Sequence, residues 1–377
     1  MSRRALTACV LALWGCDPRA ASVLDATETA ADAVPDAVTA PDTVTVPDTV
    51  TVPDTVTVRD AVTVPDTTAA DTVTPPPPEE AVVTPWAGGD PDAAPVVTWI
   101  GALSHPDMES PHRIATSPSG RVAVADPRRH AVHLFAPDGA LQHSIVGIDE
   151  PLGCAFDPFG ALFVGDGASG AVRRYGGDGA PLGELRPDVP FARPGELAWD
   201  AGAELLFVVD SGRGAIGAYT AEGLALFELA APTAEGGAWA FPTGLAVAPG
   251  GDRLYAVDHD GASVRIYDGA GVWQASFGGY GADPGELTRP QGVAVDPSGR
   301  VYVADAFQGR LQVFGPSGAH LGYAGDFGDA PEQLRLPSDA TFDPYHRLLV
   351  TSYRTAAVQI YDVDGQSVTP PGAEASP

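Results

Sequence analysis

The 377-residue chain contains no lysine, no asparagine and only three cysteines. Without lysine there is no side-chain Schiff base and no phosphate loop of the GxxxxGK[ST] kind. Without asparagine there is no acceptor for an Asn-linked glycan. Lysine and asparagine codons are AT-rich, so a GC-rich genome explains both absences without functional selection. Positive charge is scarce as well, with 21 basic side chains against 49 acidic ones and a net charge of −28. No basic stripe interrupts this surplus, so nucleic acid is excluded as a partner. GxSxG, HExxH and CxxC patterns are all missing. Gly212-Arg213-Gly214-Ala215-Ile216-Gly217 matches GxGxxG literally, but it lies between two strand-like runs where a dinucleotide site needs a helix. Asp258-His259-Asp260-Gly261 is too short for an EF-hand loop.

What the chain does contain is a repeat. Residues 289–325 read as four short strands joined by tight turns, with Asp296-Pro297-Ser298-Gly299 supplying Pro and Gly where a type I turn wants them. The opening Pro and the strand-ending acid recur as Pro111 and Asp126, Pro151 and Asp166, Pro194 and Asp210, Pro242 and Asp258, Pro290 and Asp305, and Pro337 with Ser352. The separation within each pair is 15 or 16 residues, and the period is 40 to 48. That period suits one four-stranded blade per repeat and predicts an all-β, six-bladed β-propeller. The sixth copy ends at residue 365 without a fourth strand. Residues 96–101, apolar and without a hairpin partner, are expected to supply it and close the ring. The propeller is thus assigned to 96–365, with a disordered tail at 366–377.

The remaining residues read as an export signal and a spacer. Met1-Ser2-Arg3-Arg4 is basic, and residues 5–14 form an apolar run too short to span a bilayer as a helix. Leu13-Trp14-Gly15-Cys16 resembles a bacterial lipobox, although Trp14 departs from the small residue usual there. Residues 1–16 are therefore expected to be a lipoprotein-type signal peptide, with lipidation at Cys16 anchoring the chain to a membrane of the bacterial envelope. The competing reading is an ordinary secretory signal and a secreted protein. Residues 17–95 repeat a hexapeptide close to Val-Pro-Asp-Thr-Val-Thr. A Pro in each unit limits any strand and no bulky side chain can build a core, so a disordered Pro/Thr/Asp/Val-rich tether is expected. At about 3.1 Å per residue it would reach up to roughly 200 Å. A β-helix of hexapeptide rungs is the alternative. The third cysteine, Cys154, falls where other copies carry Ile, Leu or Val, and reads as a small buried apolar side chain.

Phe277-Gly278-Gly279, Pro284-Gly285-Glu286-Leu287 and the run from Pro290 to Asp296 resemble an NHL repeat, and residues 96–365 resemble a six-bladed NHL-type β-propeller. The Asn and Arg usual before the third strand survive only as Arg310. An RNA-binding role, known for some animal proteins with this repeat, does not carry over to so acidic a chain.

The strand-ending Asp residues recur too regularly for catalysis and are expected to cap turns. Candidate functional residues come instead from misfits between copies. Two positions after the opening Pro, three blades have Gly153, Gly244 and Gly292, while the other three have Arg113, Glu196 and Asp339. These side chains should converge near a mouth of the central channel, with His112 and Gln291 one position earlier. One reading is a ring of mutually neutralising charges; the other is a polar ligand site. Two functions follow. In the first, the protein is an envelope- or surface-tethered binding or scaffold module that recognises a protein, glycan or small ligand through its channel mouth or its loops, including residues 234–241 with Trp239. No cofactor is required. In the second, it resembles the metal-dependent propeller lactonases and peptidyl-amidoglycolate lyases. That resemblance implies several His, or Glu with Asn and Asp, around a central metal. With no Asn and only His112 at an inner-strand start, a three-His zinc site is not expected, but Glu196, Asp339 and His112 could hold a divalent cation.

Overall fold

The computed structural model describes residues 85–87, 89–230 and 237–373. Cys16, the signal-like residues around it, most of the tether and part of the 234–241 loop lie outside these. Every regular element among the described residues is a β-strand, and the strands form six four-stranded antiparallel sheets. The blade at the centre of the repeat pattern is Pro290–Val295, Val301–Asp305, Arg310–Phe314 and His320–Ala324, paired in chain order. The inner strand of each blade packs on that of the next, and the inner strand of blade six, Pro337–Phe342, returns to that of blade one, Arg113–Thr116. The chain is therefore a six-bladed β-propeller.

Closure occurs as the sequence predicts. The strand Val97–Ser104 pairs with Ala357–Val363, from Val97 opposite Val363 to Ser104 opposite Ala357, and becomes the outer strand of blade six. It extends three residues beyond the expected segment, with a register shift between Trp99 and Gly101. Residues 85–87 and 89–95, counted with the tether on composition, lie against the propeller. Trp86 packs on the core between blades five and six, edge-on to His346 at 5.1 Å, and the Ala87 amide donates to Gln366 Oε1 at 3.0 Å. The first part of the supposed tail packs as well, because the Val368 amide donates to the Tyr345 carbonyl at 2.9 Å.

Burial follows radial position. Second strands such as Val122–Asp126 and Val301–Asp305 are wholly buried because blades stack on both their faces, whereas the outer strand Trp273–Gly278 alternates between half-buried and exposed residues. Apolar clusters accordingly join neighbouring blades: Ala123 and Leu134 of blade one meet Cys154 and Val164 of blade two. Cys154 is 1% exposed, its Sγ lies 3.7 Å from the Ala123 carbonyl oxygen, and burial raises its pKa well above the usual thiol value. It is an apolar filler, not a nucleophile.

The strand-ending carboxylates hold the ring's upper loops. Asp305 accepts the amides of Thr288 (2.7 Å) and Arg289 (3.0 Å) from the incoming loop, and those of Phe307 and Gln308 (both 3.2 Å) from its own turn. Asp210 binds Ala192, Arg193 and Arg213 amides in the same way, and Asp258 binds those of Ala240, Phe241 and Gly261. Capping is thus the role these acids perform.

Candidate functional site in the channel neck

The inner strands approach so closely in the neck of the channel that three blades have no room for a side chain there. A Cβ on Gly153 would lie 2.1 Å from the Gly195 carbonyl oxygen, one on Gly244 2.5 Å from that of Gln291, and one on Gly292 2.2 Å from Asp339 Oδ1. The space those glycines leave is taken by Arg113, Glu196 and Asp339, which are 3%, 5% and 4% exposed. Arg113 reaches across the ring. Its Nη2 donates to the Thr243 carbonyl at 2.9 Å, on blade four, and its Nη1 to the carbonyls of Ser338 (3.2 Å) and Gln291 (3.4 Å). Nε stands 3.1 Å from Glu196 Oε2, and Nη1 3.6 Å from Asp339 Oδ1. Each acid is also tied to backbone: Asp339 Oδ2 accepts the Ile114 amide and Glu196 Oε1 the Leu197 amide, both at 3.1 Å. The guanidinium therefore bridges four blades.

One cation serves two carboxyl groups in a desolvated place. Burial pushes the Asp339 pKa up to about 6 against the opposing pull of Arg113. Burial raises that of Glu196 well above the usual range, and the neighbouring Asp339 raises it further. Both acids are thus pushed towards their protonated forms, and one proton held by the pair makes the trio neutral. Glu196 Oε2 forms no hydrogen bond, its 3.1 Å approach to Arg113 Nε being poorly aligned.

His112 and Gln291 stand one residue earlier on their chains than Arg113 and Gly292, Gln291 meeting the trio through its carbonyl, which accepts from Arg113, and His112 through the charge of Arg113. His112 is buried, and burial followed by the charges of Arg113 and Arg193 lowers its pKa to about 3, so the ring is neutral at physiological pH. Its ring meets Tyr353 edge-on at 6.3 Å, and its carbonyl accepts the Thr351 hydroxyl at 2.9 Å. Gln291 belongs to a second group that sequence reasoning missed. His259 Nε2 faces Arg289 Nη1 at 2.6 Å, and its Nδ1 faces the Pro290 carbonyl at 3.0 Å and the Gln291 amide at 2.8 Å. Arg289 can only donate, so Nε2 accepts from it and Nδ1 carries the imidazole hydrogen, which it donates to the Pro290 carbonyl. The available signal was positional: His259 directly follows the strand-ending Asp258, and Arg289 directly precedes Pro290.

The divalent-cation set expected from His112, Glu196 and Asp339 is not assembled. Among the described residues no three His, Cys, Asp or Glu side chains come close enough to hold a metal. The physical reason is Arg113, whose guanidinium stands where a cation between Glu196 and Asp339 would bind. These residues do not fit a metal. Beyond the trio the channel continues as a cavity of about 240 Å³, with Glu196 and Asp339 at its inner end and Ala155, Ala198, Ala246 and Ala294 among its walls. The trio thus lies in a neck inside the channel, below the mouth where the sequence placed it.

Residues 287–314 match the family model of the NHL repeat. They span the last three residues of the loop into blade five and that blade's first three strands. No curated protein matches the chain in sequence. Solved structures share its fold. A protein of unknown function from Bacteroides thetaiotaomicron is 18% identical, with a TM-score of 0.58 over 72% of this chain and 76% of that one. A gluconolactonase from Xanthomonas campestris is 18% identical, with a TM-score of 0.56 over 76% and 98%. Virginiamycin B lyase from Staphylococcus aureus is 14% identical, with a TM-score of 0.51 over 71% and 99%. These likenesses establish the propeller architecture and nothing of its chemistry.

Proposed function

We propose that this protein is a binding propeller carried on the bacterial envelope by a lipid at Cys16, recognising a protein, glycan or small ligand through its upper loops and channel. The observation that carries this reading is the place of Arg113, whose guanidinium fills the neck where a propeller enzyme would need an accessible charge or metal. Buried, neutralised and tied to three backbone carbonyls, the trio joins blades together and offers no free acid, base or nucleophile to a substrate. The lactonase- or lyase-like alternative draws support from shared architecture alone.

A direct turnover assay separates the two. Purified protein is incubated with a sugar lactone, a streptogramin-type cyclic depsipeptide and a peptidyl-amidoglycolate, each with and without added Mg²⁺, Ca²⁺, Mn²⁺ or Zn²⁺. Rates equal to the buffer control are expected throughout. Turnover that disappears in Glu196→Ala/Asp339→Ala would overturn the binding reading.

A further inference from the structure

Blade six is the one repeat whose strand-ending residue is not Asp but Ser352, and the neighbouring loops allow a residue-by-residue comparison with blade five. The loop entering blade five folds back through a parallel bridge between Tyr280 and Leu287, and the loop entering blade six through one between Phe327 and Leu334. The same backbone bonds recur: Leu287 N to Gly279 O (2.7 Å) matches Leu334 N to Asp326 O (2.8 Å), and Ala306 N to Arg289 O (3.0 Å) matches Tyr353 N to Leu336 O (3.1 Å). The two loops are the same structure up to their capping group.

At the cap they diverge. In blade five the amides of Thr288 and Arg289 bind the Asp305 carboxylate. Their counterparts in blade six, the amides of Arg335 and Leu336, have no hydrogen-bond partner among the described residues. Ser352, fully buried at the position of Asp305, has an Oγ with no partner either. Leu336 sits at φ 55°, a left-handed conformation that its equivalents Ser110, Glu150, Arg193, Phe241 and Arg289 do not adopt. Such a backbone is strained for leucine. Unlike in the five other blades, no built-in carboxylate holds this corner. Two arginines flank it. Arg335 is partly exposed, lies beside the Phe327 ring and pairs with the exposed carboxylate of Asp329, and Arg354, two residues beyond Ser352, is exposed and makes no ion pair among the described residues.

We propose that blade six binds a carboxylate supplied by a ligand, at the point where the other blades use their own Asp. The ligand's oxygens would take hydrogen bonds from the Ser352 hydroxyl and the loop amides, the Arg335–Leu336 peptide would turn to the orientation seen in blade five, and Arg354, together with Arg335 exchanging its exposed Asp329 partner for the ligand, would hold the charge from the rim. The chemistry recognised is a carboxylate on a flexible, exposed group, either an acidic side chain or a peptide C-terminus. The site does not depend on the channel.

Thermal melts of the whole chain at constant ionic strength, titrated with sodium acetate against sodium chloride, test this. Wild type should gain about 3 °C at ten times the dissociation constant and keep rising with the logarithm of the acetate concentration beyond it. Ser352→Asp should melt higher without acetate and gain nothing from it, because the carboxylate is now internal. Arg335→Ala/Arg354→Ala, which leaves the loop backbone alone, should need at least about tenfold more acetate for the same gain. An unresponsive wild type, or the same response in all three proteins, would overturn the proposal. N-acetyl-aspartyl amide and N-acetyl-alanine then distinguish a side-chain from a terminal carboxylate by which gives the same rise at lower concentration.

Discussion

Arg113→Ala is expected to destabilise the propeller by about 3–5 kcal/mol, the usual loss when one partner is removed from a buried charge cluster. For a domain of this size that is a fall in melting temperature on the order of 10 °C. The loss has two sources. Three backbone carbonyls on blades four, five and six lose their donor, and two buried acids are left facing each other without a cation. The second source can be relieved by protonation, so the deficit should shrink as pH falls towards 5. Arg113→Met/Glu196→Gln/Asp339→Asn removes every charge at similar volume and should recover most of the loss. A triple variant as unstable as Arg113→Ala would show that shape, not charge, holds the neck together.

Glu196→Gln is expected to stabilise the protein at high pH and to do little at low pH. A carboxyl group whose folded pKa lies above its unfolded one binds more protons when folded, so its contribution is present below the unfolded pKa and is lost as pH rises through the folded one. Glu196 is shifted up by burial and by Asp339, and Asp339 is shifted up to about 6 by burial. Wild type should therefore lose stability from this pair as pH rises from about 4. Glutamine keeps one acceptor and one donor end, like the protonated acid, but never ionises. Its advantage should grow with pH by at most about 1.4 kcal/mol per unit for the one proton involved. Urea unfolding of both proteins at pH 5 and pH 8.5 measures the difference. A pH-independent difference would mean that Glu196 is ionised throughout.

The architecture was legible because blades repeat. Paired Pro and Asp anchors fix where each inner strand starts and each second strand ends, and an unpaired apolar run before the first repeat can only be the missing outer strand of the last. The misfit rule also found Arg113, Glu196 and Asp339 as a set, since a position that is Gly in three blades and charged in three has to be shared space. It could not show that the arginine would lie between the acids, because residue type at a register position says nothing of how far a side chain reaches. It therefore left open a cation site that the guanidinium fills. The His259–Arg289–Gln291 group was hidden because its members come from a turn of blade four, the loop into blade five and that blade's inner strand, and only the ring brings those together. Trp86 was hidden by composition: one large side chain in a Pro- and Gly-rich stretch reads as spacer, yet it packs on the core of blades five and six.

The most direct measurement is the divalent-metal content of the protein from residue 17 onward, purified without chelator, set beside Glu196→Ala/Asp339→Ala. With Arg113 as the cation of the neck, both proteins should carry only traces of metal. One tightly bound divalent ion per chain in the wild type, lost in the double variant, would mean that a metal and not the guanidinium balances Glu196 and Asp339, and would contradict the binding-propeller account at its centre.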